Sequence, residues 1–297
     1  MPELPEVEVV RAGLEPAVTG AVVESVEILD ERSLRRHAGP AEDYVDRLTG
    51  ARLETPRRRG KFLWIPVADA GEALVVRLGM SGQVLLRAPD APVDRLTRIV
   101  TRVRHPEHGP LRLDFVDQRI FGSMALDALV ATPDVAGDTV PTQVAHIARD
   151  PMDAAFDERR FLAALAKKDT GIKRAMLDQT LISGIGNIYA DEALWAARLH
   201  YAQPTRSISR AKARELLGEV RSVLTKALAE GGTSFDAQYV NVNGASGYFS
   251  HSLNVYGQQG EPCPRCGTVV IRESFMNRGS HLCPRCQRVR APRTPRD

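Results

Sequence analysis

The sequence predicts an α+β multidomain chain in which a strand-rich first third gives way to a helical middle and a short cysteine region. Three observations carry that reading. The first third alternates apolar and polar residues in short runs, the middle repeats apolar residues at i, i+3 and i+4, and all four cysteines fall at 263, 266, 283 and 286. With 297 residues, 43% hydrophobic and 26% charged, the chain is long enough for two modest cores. Its longest apolar runs, such as GEALVVRLGM, are broken by charge well before the roughly 18 residues of a membrane span. No secretory leader opens it, so a cytoplasmic protein with no membrane partner is expected.

The runs GAVVESVEIL, ARLETPRRRGKFLWIPV, EALVVRLGMSGQVLLR, TRIVTRVRH and GPLRLDFVD are separated by Gly, Pro and Asp, with no long helical segment between them. Strands so connected pair antiparallel, as a sandwich or barrel. One helix precedes them. Val7, Val10, Leu14 and Val18 share one face of it, so an end that would ordinarily fray is expected to pack on the sheet. Residues 127–151 carry Pro, Gly and Asp without periodicity, which puts a domain junction there. Beyond it, DERRFLAALAKK, IKRAMLDQTLIS, NIYADEALWAARL and SRAKARELLGEVRSVLTKALAEGG read as helices, the last stopped by Gly231 and Gly232. QYVNVNGASGYFS is too polar for a core and too aromatic for a plain linker. Gly244 and Gly247 would give it mobility, and Tyr248 and Phe249 a stacking surface.

The net charge of +3 is small, but its distribution is uneven. Residues 257–297 hold eight arginines against Glu261, Glu273 and Asp297, a local balance of 8 − 3 = +5 on a remainder of 32 − 34 = −2. Such a cluster suits phosphates, although the final APRTPRD reads as a solvated tail. Within the cluster, Cys263, Cys266, Cys283 and Cys286 have C-x2-C-x16-C-x2-C spacing, which fits tetrahedral zinc held by two knuckles. Two disulfides are the alternative, disfavoured in a chain without a leader. Four thiolates leave no open coordination position, so the zinc is structural. Its binding free energy, roughly 10–16 kcal/mol, can fold a hairpin too small to hold itself. Arg278 would ride on that hairpin. Upstream, Gly184 and Gly186 bracket a reversal between two helices and Asn187 opens the second, a geometry that brings backbone N–H groups to a phosphate. GIG alone would usually be no more than a helix cap.

MPELPEVE, RRGKFLW, RLGMSG, DQRIFG, IKRAMLDQTLISGIGNIYADEALW, the GYF…L.VYG..G.PC run and the four-cysteine finger follow one another from Met1 to about Gln287. Together they resemble the bacterial formamidopyrimidine-DNA glycosylase family. The resemblance implies an N-terminal antiparallel β-sandwich with an N-terminal helix, then a helix-two-turn-helix module and a zinc-finger β-hairpin. Duplex DNA would lie in the cleft between the domains. The expected boundaries are 1–130 for the catalytic sandwich, 131–150 for a linker, 151–245 for the helical DNA-binding domain, 246–290 for the end of the lesion loop and the finger, and 291–297 for a disordered tail. The implied activity is that of a bifunctional DNA glycosylase and abasic-site lyase for oxidised purines. A monomer acting on damaged double-stranded DNA, with one structural zinc and nucleoid association through the DNA, is expected.

The same resemblance assigns roles. With Met1 removed, the secondary amine of Pro2 is the nucleophile. An α-amine titrates near about 7.7–8.0, so a neutral fraction exists at physiological pH. Glu3 would shuttle protons as the sugar opens. Glu6, one turn on, either orients these groups or complements the helix macrodipole. Lys61 and Arg278 match cations that meet the lesion phosphates and assist β- and δ-elimination. Lys173 matches a lysine that reaches the lesion, while Lys168 and Asn187 match phosphate contacts. Met80, Arg119 and Phe121 match a trio that fills the gap left by the extruded base, two apolar wedges that replace stacking and an arginine that meets the orphaned cytosine; without the resemblance Met80 and Phe121 would read as core residues.

The chain departs from the family pattern at Arg77, Ile120, Leu96 and Leu282. Leu96 falls where a phosphate-contacting His is usual, and Arg98 is the candidate replacement. Two other functions compete: an endonuclease VIII-like glycosylase for oxidised pyrimidines, and a zinc-finger damage sensor without catalysis. MPELPE, the trio at 80, 119 and 121, and Lys173 favour the purine enzyme. A zinc-ribbon RNA-binding factor would leave Pro2 and Glu3 unexplained.

Overall fold

In the computed structural model, which describes residues 2–232 and 252–290, the chain divides into two units. One takes residues 1–146 with 231–248, the other 147–230 with 249–297. QYVNVNGASGYFS, whose glycines and aromatics make it the candidate for a loop that closes over the extruded base, lies outside the described residues, as does APRTPRD.

The first unit opens with α1 (Leu4–Val18) and β1 (Val22–Ile28), then α2 (Ala41–Leu48), β2 (Arg57–Arg59), β3 (Phe62–Val67), β4 (Glu72–Arg77) and β5 (Gly82–Arg87). It continues with β6 (Thr97–His105), β7 (Gly109–Asp117), β8 (Ser123–Ala131) and β9 (Thr139–Pro141). These strands form two antiparallel sheets, β1-β6-β7-β5 and β2-β3-β4-β8-β9. One buried cluster joins Val23, Val103 and Phe115 of the first sheet to Leu63, Leu74 and Leu126 of the second, and to Val7, Val10 and Leu14 of α1. The unit is therefore a sandwich. Each large apolar side chain so buried contributes roughly 1.5–3 kcal/mol, which is why α1 stays on the sheet as its spacing predicts.

In this unit two features differ from the sequence reading. Helix α2 lies among the strands, burying Tyr44 and Leu48. Only two anchors in a charged octet give too faint a period to read. The presumed junction at 127–151 also holds the end of β8 and all of β9, registered Leu129 to Pro141, Val130 to Val140 and Ala131 to Thr139. The first residues of β8, SMAL, are buried on both faces, so no alternation marks it as a strand.

In the second unit, α3 (Glu158–Lys167), α4 (Ile172–Met176), α5 (Asn187–Ala196) and α6 (Arg210–Ala229) precede the hairpin β10 (Ile271–Phe275) and β11 (Arg278–Leu282). IKRAMLDQTLIS is helical only for its first five residues. Asp178 Oδ1 then accepts the Thr180 N–H (3.0 Å), and Gln179 Oε1 accepts the Gly184 N–H (3.1 Å). Side chains thus satisfy backbone groups that a longer helix would have paired. Among the described residues no helix is long and apolar enough to cross a membrane.

Candidate active site and nucleic-acid interface

Pro2 and Glu3 stand immediately before α1, both buried. Glu3 is the helix N-cap: its N–H donates to Glu6 Oε2 at 2.8 Å, and its carbonyl accepts from the Val7 N–H at 3.2 Å. Glu3 and Glu6 are 3% and 5% exposed, unusual for carboxylates, so the first turn is closed on itself rather than frayed. Glu6 therefore fixes the backbone of Glu3 while sitting at the positive end of the helix. Farther along α1, Glu8 Oε2 accepts Arg58 Nε at 2.7 Å and Arg11 donates to the Pro56 carbonyl, which ties β2 to the helix. The β2–β3 turn passes through Gly60 (φ 58°) and Lys61, with Arg59 opposite Phe62. Lys61 thus rides on a turn anchored to the helix that Pro2 and Glu3 begin.

Met80 and Phe121 are 45% and 50% exposed, and Arg119 is exposed beside them. Neither apolar side chain belongs to the core. Arg77, on the last residue of β4, lies over the Phe62 ring at 5.0 Å. Burial, and then the charges of Arg36 and Arg35, holds its guanidinium below the usual arginine range. Arg98 faces its own sheet: Nε donates to the Asp117 carbonyl at 2.8 Å, and Nη1 lies 3.8 Å from Asp30 Oδ2.

In the second unit, Gly184 adopts φ 87° in the reversal, Gly186 is the N-cap of α5 and Asn187 its first residue. Lys173 is fully buried with its ammonium 2.6 Å from Asp191 Oδ1 and 3.0 Å from Ser280 Oγ. Asp191 also accepts the Ser280 hydroxyl and the His281 N–H, both at 2.9 Å, and Asn187 donates to the Gly279 carbonyl at 3.1 Å. Lys173 and Asn187 therefore grip the hairpin from beneath, and Arg278 projects from its exposed tip. Tyr201 adds a strut by donating to Glu273 Oε2 at 2.7 Å; burial and then Glu273 push its phenol up to about 12. Lys168, by contrast, is half-exposed and paired with Asp178 at 2.8 Å. Replacing Asp191 by Asn should cost about 3–5 kcal/mol in denaturant unfolding, because it strands a buried ammonium. The double replacement Lys173→Met with Asp191→Leu should recover part of that loss; an additive double variant would disprove the coupling.

The four cysteine sulfurs lie within 4.8 Å of one another, with Cys266 3.5 Å from both Cys283 and Cys286. No disulfide joins them. A tetrahedron of zinc–sulfur bonds of about 2.3 Å has edges near 3.8 Å, so the donor set fits one structural zinc. Trp195 Nε1 and the Cys286 N–H point at Cys263 Sγ and Cys283 Sγ, each at 3.4 Å, as expected for donors that stabilise thiolates. Arg265 stacks 4.1 Å over Trp195 and donates to the Trp195 and Ala196 carbonyls, a cation placed at the C-terminus of α5.

In this unit Asp191, Glu192 and Trp195 are structural residues that sequence reasoning passed over. Glu192, 1% exposed, accepts the backbone N–H groups of Asn254, Val255 and Tyr256 at 3.0, 2.9 and 2.9 Å. A signal existed: α5 is apolar almost all round, so acids within it must be buried and paired.

Comparison with known proteins covers the same elements. Residues 1–124 match the model of the formamidopyrimidine-DNA glycosylase N-terminal domain, 147–238 that of the formamidopyrimidine-DNA glycosylase H2TH domain, and 260–289 that of the zinc finger found in FPG and IleRS. Formamidopyrimidine-DNA glycosylase of Leifsonia xyli is 63% identical, over 97% of this chain and 100% of the other. The Thermobifida fusca protein of the same name is 55% identical, over 97% of each. Among solved structures, Lactococcus lactis Fpg in complex with DNA containing an abasic site superposes with a TM-score of 0.81 at 31% identity, over 96% of this chain and 99% of that one. A MutM structure with DNA containing carbocyclic 8-oxo-G gives 0.80 at 31% identity, with the same coverage. All of these regions point to one class of protein, the DNA glycosylases. Within it, the chain belongs to the formamidopyrimidine-DNA glycosylase family.

Proposed function

We propose that this chain removes oxidised purines, 8-oxoguanine and formamidopyrimidines, from duplex DNA in base excision repair and then cleaves the abasic strand, with Pro2 as nucleophile. The observation that carries the assignment is the start of α1, where the buried carboxylate of Glu6 accepts the Glu3 N–H and so fixes the peptide that joins Pro2 to Glu3. The neutral amine of Pro2 attacks C1′ and the bond to the base breaks; the base leaves with a proton. As the sugar ring opens, Glu3 supplies the proton to the ring oxygen, and a cationic Schiff base forms. Its positive nitrogen acidifies C2′, so loss of that proton expels the 3′ phosphate; a second elimination expels the 5′ phosphate. Lys61 and Arg278 hold phosphates during these steps. Lys168, Lys173 and Asn187 belong to the DNA-binding side of the module, the latter two by fixing the hairpin that presents Arg278. Met80, Arg119 and Phe121 fill the space of the extruded base, and their exposure supports that role. Arg98, whose Nε is held by the Asp117 carbonyl, is the candidate to meet the phosphate that an apolar side chain at Leu96 cannot bind. Zinc supplies no step of the reaction. The corresponding division of labour is 1–130 for catalysis, 151–245 for DNA binding and 246–290 for the finger, in a monomer.

Sodium borohydride added during incubation with a duplex carrying 8-oxoguanine opposite cytosine should trap the protein covalently on the DNA through Pro2. Excision of 8-oxoguanine should exceed that of thymine glycol. The reverse preference would assign the chain to oxidised pyrimidines, and the absence of any trapped species with Met-processed protein would leave a damage sensor.

A further inference from the structure

The loops bearing Met80 and Phe121 are joined by one buried carboxylate. Asp117, fully buried at the end of β7, accepts the Ser81 hydroxyl (2.5 Å) and the Arg119 N–H (3.1 Å) on Oδ1, and the Gly122 N–H (2.6 Å) on Oδ2. Ser81 shares a turn with Met80; Arg119 and Gly122 bracket Phe121. The backbones close the same joint. A Cβ on Gly79, which sits at φ 64°, would lie 2.6 Å from the carbonyl carbon and oxygen of Phe121, and one on Gly122 would lie 2.6 Å from the Arg77 carbonyl oxygen. From the outside, the exposed Arg35 donates to the Ile120 carbonyl at 2.8 Å and to that of Phe121. Ile120 is held at φ 54°, a conformation that a β-branched residue keeps only where its surroundings enforce it.

We propose that Asp117 and Arg35 are positioning residues that hold Met80, Arg119 and Phe121 as one preassembled wedge. The duplex then meets a finished surface instead of two loops that must order on contact, and the ordering entropy is removed from the extrusion step. The inference rests on the void-filling reading of those three side chains. It explains two features that the stability of the sandwich does not require: a strained isoleucine, and a buried carboxylate whose side-chain oxygens are satisfied by two backbone N–H groups and a hydroxyl. An amide in place of that carboxylate would turn an NH2 group against one of those donors.

The test uses zinc-loaded, Met-processed protein and the variants Asp117→Asn, Arg35→Ala and Arg119→Ala. Excision of 8-oxoguanine opposite cytosine and opposite adenine is measured in duplex, and strand cleavage at an abasic site in single-stranded DNA, where there is no partner strand to wedge. Asp117→Asn and Arg35→Ala should each lower duplex excision about tenfold more than single-strand cleavage. They should also shift the preference for cytosine over adenine toward that of Arg119→Ala. Arg35 lies on the surface, so its variant keeps the test open if Asp117→Asn fails to fold. Equal losses on duplex and single strand, with the cytosine preference intact in both variants and lost in Arg119→Ala, would overturn the inference alone. A cytosine preference retained by Arg119→Ala itself would defeat the wedge reading, and the inference with it.

Discussion

Protein carrying one extra residue ahead of Pro2 is expected to lose base excision by about 10³-fold or more, the scale on which enzymes respond to loss of a covalent nucleophile. Extension converts a secondary amine, with a lone pair available near neutral pH, into a tertiary amide whose lone pair is delocalised into the carbonyl. The α1 core at Val7, Val10 and Leu14 lies beyond the change, so DNA affinity should fall little. Borohydride trapping and a mobility-shift titration on the same 8-oxoguanine duplex separate the two effects. Extended, unprocessed protein that still excises and traps at the native rate would rule out Pro2 as nucleophile. Affinity lost in parallel with excision would instead mean that the extension unseats the helix.

Removal of zinc should abolish lesion-specific DNA binding while the sandwich stays folded. The metal contributes roughly 10–16 kcal/mol to a four-thiolate site of this kind, far more than the ten residues of β10 and β11 can supply for themselves. Four like-charged thiolates cannot remain within 4.8 Å of one another without it, so the sulfurs must protonate or separate and the knuckles open. Arg278 then loses its platform. Treatment with a strong chelator, followed by circular dichroism and a binding titration, checks both halves of the prediction. Loss of the whole far-UV signal would refute independent folding of the sandwich, and full binding by metal-free protein would refute the role of the finger.

Much of the fold was legible because it rests on local periodicity. TRIVTRVRH and GPLRLDFVD coincide with β6 and β7 to the residue, since each alternates and is bounded by turn residues. Helices α3, α5 and α6 were equally plain. The elements that escaped are those whose pattern is erased by their surroundings. β8 begins with four buried residues in succession, β9 has three residues, and α4 ends after five because Asp178 and Gln179 take over its backbone partners. The zinc site was readable from spacing alone. Pro2 and Glu3 were not: ten N-terminal residues in isolation look like a loose lead-in, and only the whole series of motifs gives them chemical meaning. Asp117, Asp191 and Glu192 were hidden for another reason. A carboxylate in a strand or helix reads as solvent-facing until tertiary structure buries it, and each of these is at most 1% exposed.

The grip of α5 on the zinc hairpin sets limits on exchange between relatives. Asp191, Asn187 and Trp195 on that helix meet Ser280, His281, Gly279 and Cys263, and Arg265 returns to its last carbonyls. A finger transplanted by itself would arrive with its metal ligands and without its socket. The unit of inheritance, and of grafting in chimaeras, is therefore the hairpin together with α5, two segments some 70 residues apart in the gene that must vary in concert.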